Sequence, residues 1–100
     1  EYLYCGANKI TSLNTINNIQ LKVLVCIDNK LTSLDVSHNP NLHMLLCHGN
    51  HLTYLNVANG NNINFWGFFA TNNPNLNCID VDDAAWSTAN WTNYRHTTLL

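Results

Sequence analysis

Apolar residues in this chain recur as Leu21, Leu24, Cys26, Leu31, Leu34 and Val36, and then again as Leu42, Leu45, Cys47, Leu52, Leu55 and Val57. The second set is the first displaced by 21 residues, and Leu3, Cys5, Ile10, Leu13 and Thr15 continue it toward the start of the chain. An asparagine keeps the same step at Asn8, Asn29 and Asn50. The unit reads L-x-x-L-x-C-x-x-N-x-L-T-x-L-D-V-x-x-N-x-x. Each unit predicts a short parallel strand around 24–26 and a second extended segment from Leu31 to Val36, joined by turns at "DNK" and "SHNPN". Alternation along the strand puts Leu24 and Cys26 inside and Val25 outside.

After Val57 the register slips, and Phe65, Phe68, Ala70, Asn73, Leu76, Ile79 and Val81 refill it. Two residues are inserted in "ANGNNIN" and one more before Leu76, as loops of a stacked array tolerate. A period of this length with an L-x-x-L-x-C-x-x-N-x-L core is the leucine-rich-repeat signature, in which one coil cannot bury its apolar edge alone and neighbours bury it together. The expected fold is a leucine-rich-repeat solenoid, mostly strand and loop. About 3.5 coils span residues 1–83, and a C-terminal cap with a short helix in "AAWSTANW" spans 84–100. Glu1 to Cys5 open partway through a coil, so further repeats upstream or another stacked chain are expected at that end.

The asparagine column has its own physical reason. Where a strand ends in a sharp turn, backbone groups would be buried without partners, and an amide side chain both donates to and accepts from them. Asn8, Asn29, Asn50 and Asn73 therefore read as a structural ladder.

The cysteines of the repeat, Cys5, Cys26 and Cys47, read as small apolar fillers. Parallel strands lie ~4.8 Å apart, whereas a disulfide wants Cβ atoms about 3.5–4.5 Å apart, and Ala70 replaces cysteine in the fourth unit. Cys78 falls in the outward column of Ser12, Ser33 and Tyr54. It is either a surface thiol or the partner of a cysteine elsewhere.

Nineteen asparagines and few charges make up the polar share, and the net charge is −2. The scattered cations Lys9, Lys22, Lys30 and Arg95 form no footprint for a phosphate backbone, so no nucleic-acid partner is expected. No apolar run is long enough to span a bilayer, so no membrane insertion is expected. The start at Glu1, without an initiator Met or a signal peptide, suggests a processed or excised piece.

His43, His48 and His51 have a spacing that invites a zinc reading, but they fall before, just after and well after one strand and need not converge. Asp80 and Asp82 read as a solvated edge, with Asp83 capping the short helix. No serine, cysteine or lysine has a base at motif spacing and no glycine-rich phosphate loop occurs, so neither catalytic residues nor a metal or other cofactor is expected.

The outward strand positions carry the remaining candidate. Tyr2, Val23, Met44 and Gly67 form one column and Tyr4, Val25, Leu46 and Phe69 the next, with Trp66 beside them. Two apolar columns across four strands are expected to expose an interaction surface, with Tyr4, Val25, Met44, Leu46, Trp66 and Phe69 as binding residues. Trp86 and Trp91 are expected in the cap.

The stretches "LTSLDVSHNPNL" at 31–42, "VANGNN" at 57–62 and "ATNNPNLNCIDVDDAAWSTANWTN" at 70–93 resemble the secreted leucine-rich-repeat proteins of Bacteroidetes-type bacteria. "NFWGFF" at 64–69 and "YRHTTLL" at 94–100 depart from that pattern. The resemblance implies an extracellular or surface-attached protein, exported by a type IX route, that acts in adhesion or binding without catalysis. A protein or glycan surface is the implied partner. The alternative is a structural subunit that assembles with copies of itself into a fibre or sheath through its uncapped edge or apolar face.

Overall fold

The computed structural model of the chain describes residues 1–94 and 97–100; Arg95 and His96 lie outside the described residues. Among the described residues the backbone forms two parallel four-stranded sheets and one short helix. The first sheet contains β1 (Tyr2–Tyr4), β2 (Val23–Val25), β4 (Met44–Leu46) and β6 (Gly67–Phe69), in that spatial order. The second contains β3 (Ser33–Asp35), β5 (Tyr54–Asn56), β7 (Cys78–Asp80) and β8 (Thr98–Leu99). The helix α1 (Ala84–Asn90) lies between the last two strands in sequence. This small, mostly strand domain with parallel sheets is compatible with a repeat or solenoid-like fold.

The 21-residue step of the sequence becomes strand register. Leu3 pairs with Leu24 and Leu24 with Leu45 in the first sheet, and Leu34 pairs with Leu55 in the second. The insertions lengthen the step without breaking it, since Met44 pairs with Gly67 and Leu55 with Ile79. Each three-residue strand from β2 to β7 buries its central side chain, whereas Leu3 of β1 is exposed. Leu24, Leu45 and Phe68 from one sheet and Leu34, Leu55, Ile79 and Leu99 from the other fill the core together with Cys26 and Cys47. The apolar burial that holds the fold is therefore shared between successive repeats.

Two local devices make the turns. The residue before each ladder asparagine has a positive φ: Ala7 at 57°, Asp28 at 55°, Gly49 at 72° and Asn72 at 57°. The ladder side chain then ties off the turn. Asn29 Nδ2 donates to the carbonyls of Cys26 at 3.1 Å and Cys5 at 3.0 Å, and its Oδ1 accepts from the Asn8 and Ile10 amides. Asn50 and Asn73 repeat the scheme on Cys47 and Cys26, and on Ala70 and Cys47. Asn8, in the first repeat, is exposed and bonds only the Cys5 and Gly6 carbonyls with its amide nitrogen.

A second asparagine network, at the opposite turn of the repeat, is absent from the sequence-based expectations, which treat "SHNPN" as a turn alone. Asn39 is fully buried, and its Nδ2 donates to the carbonyls of Thr15 at 2.8 Å and Asn18 at 2.9 Å. Asn59 Nδ2 in turn donates to the carbonyls of Asn39 and Leu42. Asn62 opens a single 3₁₀ turn, Asn62–Asn64, and its Nδ2 donates to the Val57 carbonyl at 2.8 Å. The inserted loop is thus wired internally as well as to its neighbours.

Asp82 is exposed, as a solvated edge requires, and it also holds the inserted loop. Its carboxylate accepts from the Gly60 and Asn62 amides, both at 2.9 Å, and its own amide donates to Asn62 Oδ1. A carboxylate is the strongest available acceptor for two adjacent N–H groups, so Asp82 clamps the inserted loop to the last repeat. Asp80 is half-buried. Asp83 is the N-cap of α1, accepting from the Ala85 and Trp86 amides at 3.0 and 3.1 Å.

The C-terminal segment covers the core with aromatic rings and adds strand pairing. Trp91 is buried and stacks on Phe68 with ring centroids 4.4 Å apart, while Trp86 meets Trp91 edge-on at 6.2 Å. The Asn93 carbonyl accepts from the Ala70 amide, taking up the open edge beyond β6. The strand β8, which the sequence reading leaves within a tail, pairs with β7 through Cys78–Thr98 and Ile79–Leu99.

Candidate functional site

The outer face of the first sheet brings the expected binding residues together. Strand pairing sets Tyr4, Val25, Leu46 and Phe69 side by side in one column and Tyr2, Val23, Met44 and Gly67 in the next. Tyr2 and Tyr4 are each 65% exposed, Trp66 66% and Phe69 39%. Val25, Met44 and Leu46 are half-buried between them.

Val23 departs from the expected open column. It is only 2% exposed, yet it is not part of the core cluster, so its burial comes from the outer face. Its in-register neighbours are Tyr2 and Met44. Gly67 keeps the column packed at its other end. A Cβ there would stand 3.0 Å from Met44 Cγ, so the methionine lies against the glycine backbone.

Two histidines join this face. Trp66 Nε1 donates to His43 Nδ1, and the two rings lie 5.5 Å apart. Indole can only donate, so this bond requires the imidazole tautomer whose Nδ1 is unprotonated. His48 faces Phe69 with ring centroids 5.8 Å apart. His51 sits beyond the turn and is exposed. Sequence spacing alone places the histidines about one strand without linking them to the aromatic residues. The link is made by β6, 23 positions further along in register.

The remaining singled-out residues lie elsewhere. Cys26 and Cys47 are buried, Cys5 is half-buried and Cys78 is exposed, all as free thiols. Burial pushes the Cys26 thiol up to about 12, with neighbouring Cys5 adding to the effect. Burial, and then neighbouring Cys26, raises Cys47 well above its ordinary range, and burial alone raises Cys5. Because the thiolate is the nucleophile and metal ligand, these shifts suppress both kinds of chemistry in the ladder. Among the described residues no three His, Cys, Asp or Glu side chains gather in a metal-binding group. The asparagine ladder spends its amides on backbone groups, as described above.

The site is therefore a surface of rings and aliphatic side chains. Comparison with protein-family models, with curated proteins and with solved structures finds no match to this chain. Among the described residues no helix is long and apolar enough to cross a membrane.

Proposed function

We propose that the chain is a leucine-rich-repeat solenoid serving as a non-catalytic, extracellular binding or adhesion module, with the outer face of the first sheet as its contact surface. The observation that carries this reading is the exposure of four aromatic side chains, Tyr2, Tyr4, Trp66 and Phe69, on one continuous apolar face. Exposed rings of this size are costly to leave in water and gain most when a partner covers them. Half-buried Val25, Met44 and Leu46 form the floor between the rings. The extracellular setting rests on the family resemblance of the sequence.

The test is retention on a panel of immobilised extracellular-matrix proteins and insoluble polysaccharides. Wild-type protein is expected to be retained on at least one member of the panel, and the Trp66→Ser/Phe69→Ser double variant to be lost from it while keeping the wild-type circular dichroism. Retention that survives the double substitution, or no retention on any member, overturns the reading.

A second reading, assembly of identical chains, is favoured by one observation at the opposite end. Leu3 is 37% exposed and Cys5, Ile10 and Leu13 are half-buried, whereas their counterparts Leu24, Cys26, Leu31 and Leu34 are buried. β1 pairs with β2 along one side, leaving its other edge to accept a strand. Sedimentation velocity across a wide concentration range checks it: a constant monomer removes this reading and leaves the first untouched.

A further inference from the structure

Beside Phe69 the structure holds an open cavity of about 890 Å³, lined among others by Thr71, Asn72, Asn77 and Asn93. It lies at the end of the Tyr4–Val25–Leu46–Phe69 column, between the turn of the fourth repeat and the C-terminal segment. Its volume falls in the range of small-molecule sites.

The buried asparagines of the protein spend their amides on its own backbone. Asn29, Asn50 and Asn73 each bond several backbone groups, as do Asn39, Asn59 and Asn62 in the second network. By contrast, the side-chain amides of Asn72, Asn77 and Asn93 make no hydrogen bond among the described residues. Three unengaged amides thus stand around one concavity with an aromatic ring at its rim.

We propose that this cavity binds a neutral sugar unit, as the terminal or internal residue of a glycan. A carboxamide donates through its nitrogen and accepts through its oxygen, so it matches the paired hydroxyls of a pyranose, which do both. The Phe69 ring supplies a flat apolar surface for the C–H face of the sugar. Among the described residues no charged side chain lines the cavity. The Asn93 carbonyl already accepts from the Ala70 amide, which removes one backbone donor that an extended peptide would use at this end of β6.

A longer glycan leaving the cavity would pass over Leu46 and Val25 toward Tyr4, three strand spacings or ~14 Å away. This extension rests on the strand-face reading; the cavity site does not.

The experiment is a titration of ¹⁵N-labelled protein with neutral glucose, mannose and N-acetylglucosamine oligosaccharides, from di- to hexasaccharides, following the side-chain amide resonances. At least one series is expected to shift the Asn72, Asn77 and Asn93 signals saturably. Asn72→Gly with Asn77→Ala removes two amides while glycine retains the positive φ at 72, and is expected to weaken binding by about tenfold. Tyr4→Ser, at the far end of that path, is expected to weaken hexasaccharide binding and leave disaccharide binding unchanged. If Tyr4→Ser abolishes all binding and the amide variant none, the cavity inference fails and the strand-face reading stands. If the amide variant weakens binding and Tyr4→Ser has no effect on any length, the cavity stands alone. Absence of shifts at about 10 mM of every saccharide, a weak-binding ceiling, overturns the proposal, as do shifts produced only by an Asn-rich peptide control.

Discussion

The Asn50 amide nitrogen donates to the Cys26 carbonyl of the preceding repeat at 3.0 Å, so one side chain closes its own turn and fastens it to the repeat before it. Its Oδ1 accepts from the Leu31 amide at 3.1 Å. Removing it leaves buried carbonyls and an amide without partners. Asn50→Ala is expected to lower unfolding free energy by about 1–3 kcal/mol. Asn8→Ala, at an exposed position bonded only within its own repeat, is expected to cost clearly less. Urea denaturation of the two variants side by side makes the comparison, and equal losses would contradict the bridging role.

The turn before the ladder asks for a left-handed residue in every repeat, and the chain meets that demand with Ala7, Asp28, Gly49 and Asn72. A Cβ on Gly49 would fall 2.1 Å from Asp28 Oδ1 as well as occupying a strained φ. Gly49→Ala is expected to destabilise by ~1–2 kcal/mol from the backbone conformation alone. Ala7→Gly runs the other way. It relieves strain of ~1–2 kcal/mol against added unfolded-state freedom of ~0.5–1 kcal/mol, so a small stabilisation is expected in thermal melts.

Thiol reactivity divides along the same geometry. Cys78 is expected to react quickly with an aromatic disulfide reagent in the native protein, Cys5 more slowly, and Cys26 and Cys47 only after denaturation. Equal reactivity of all four in the native state would rule out the buried ladder.

The raised thiol pKa values also give stability a pH dependence. Below the ordinary thiol value of 9.0, Cys26 is protonated both folded and unfolded and contributes no slope. Above it the unfolded chain loses the proton first, so stability falls until about pH 12, where the folded thiol also ionises. The expected slope approaches about 1.4 kcal/mol per pH unit for each such thiol. Cys47, raised by burial in the same direction, steepens the fall. The Cys26→Ala/Cys47→Ala variant, judged by denaturation between pH 8 and pH 10 at roughly one-unit steps, is expected to lose most of this slope.

Trp91 stacks on Phe68 and closes the core at its C-terminal end. Trp91→Ala is expected to cost roughly 3 kcal/mol and to expose the inner face of β6, which increased binding of a hydrophobic dye would report. Trp86, half-buried and in edge contact with Trp91, is expected to matter less.

Much of the scaffold was legible in the repeat because register demands it. A column such as Leu24, Leu45 and Phe68 must stay apolar to keep one face buried, and a ladder such as Asn29 and Asn50 must stay polar to satisfy the turns. The second asparagine network was harder to read, since the inserted loop moves Asn59 and Asn62 out of the period that Asn18 and Asn39 obey. The roles of His43 and His48 were likewise hidden, because each meets its aromatic partner only when β6 comes to lie beside β4.

By itself the sequence determined which residues face one another, because a 21-residue period with two short extended segments leaves few other ways to bury its leucines. It also determined that the ladder cysteines would be fillers, since strand spacing disfavours bridging them. Only the tertiary structure decided how exposed the outward column is: Val23 is buried while Tyr2, Tyr4 and Trp66 remain open. It alone gave the exposed Asp82 its second role as a loop clamp and added β8 to the second sheet. Exposure and clamping depend on what long side chains and irregular loops from other repeats bring near, and a period in the sequence does not encode that proximity.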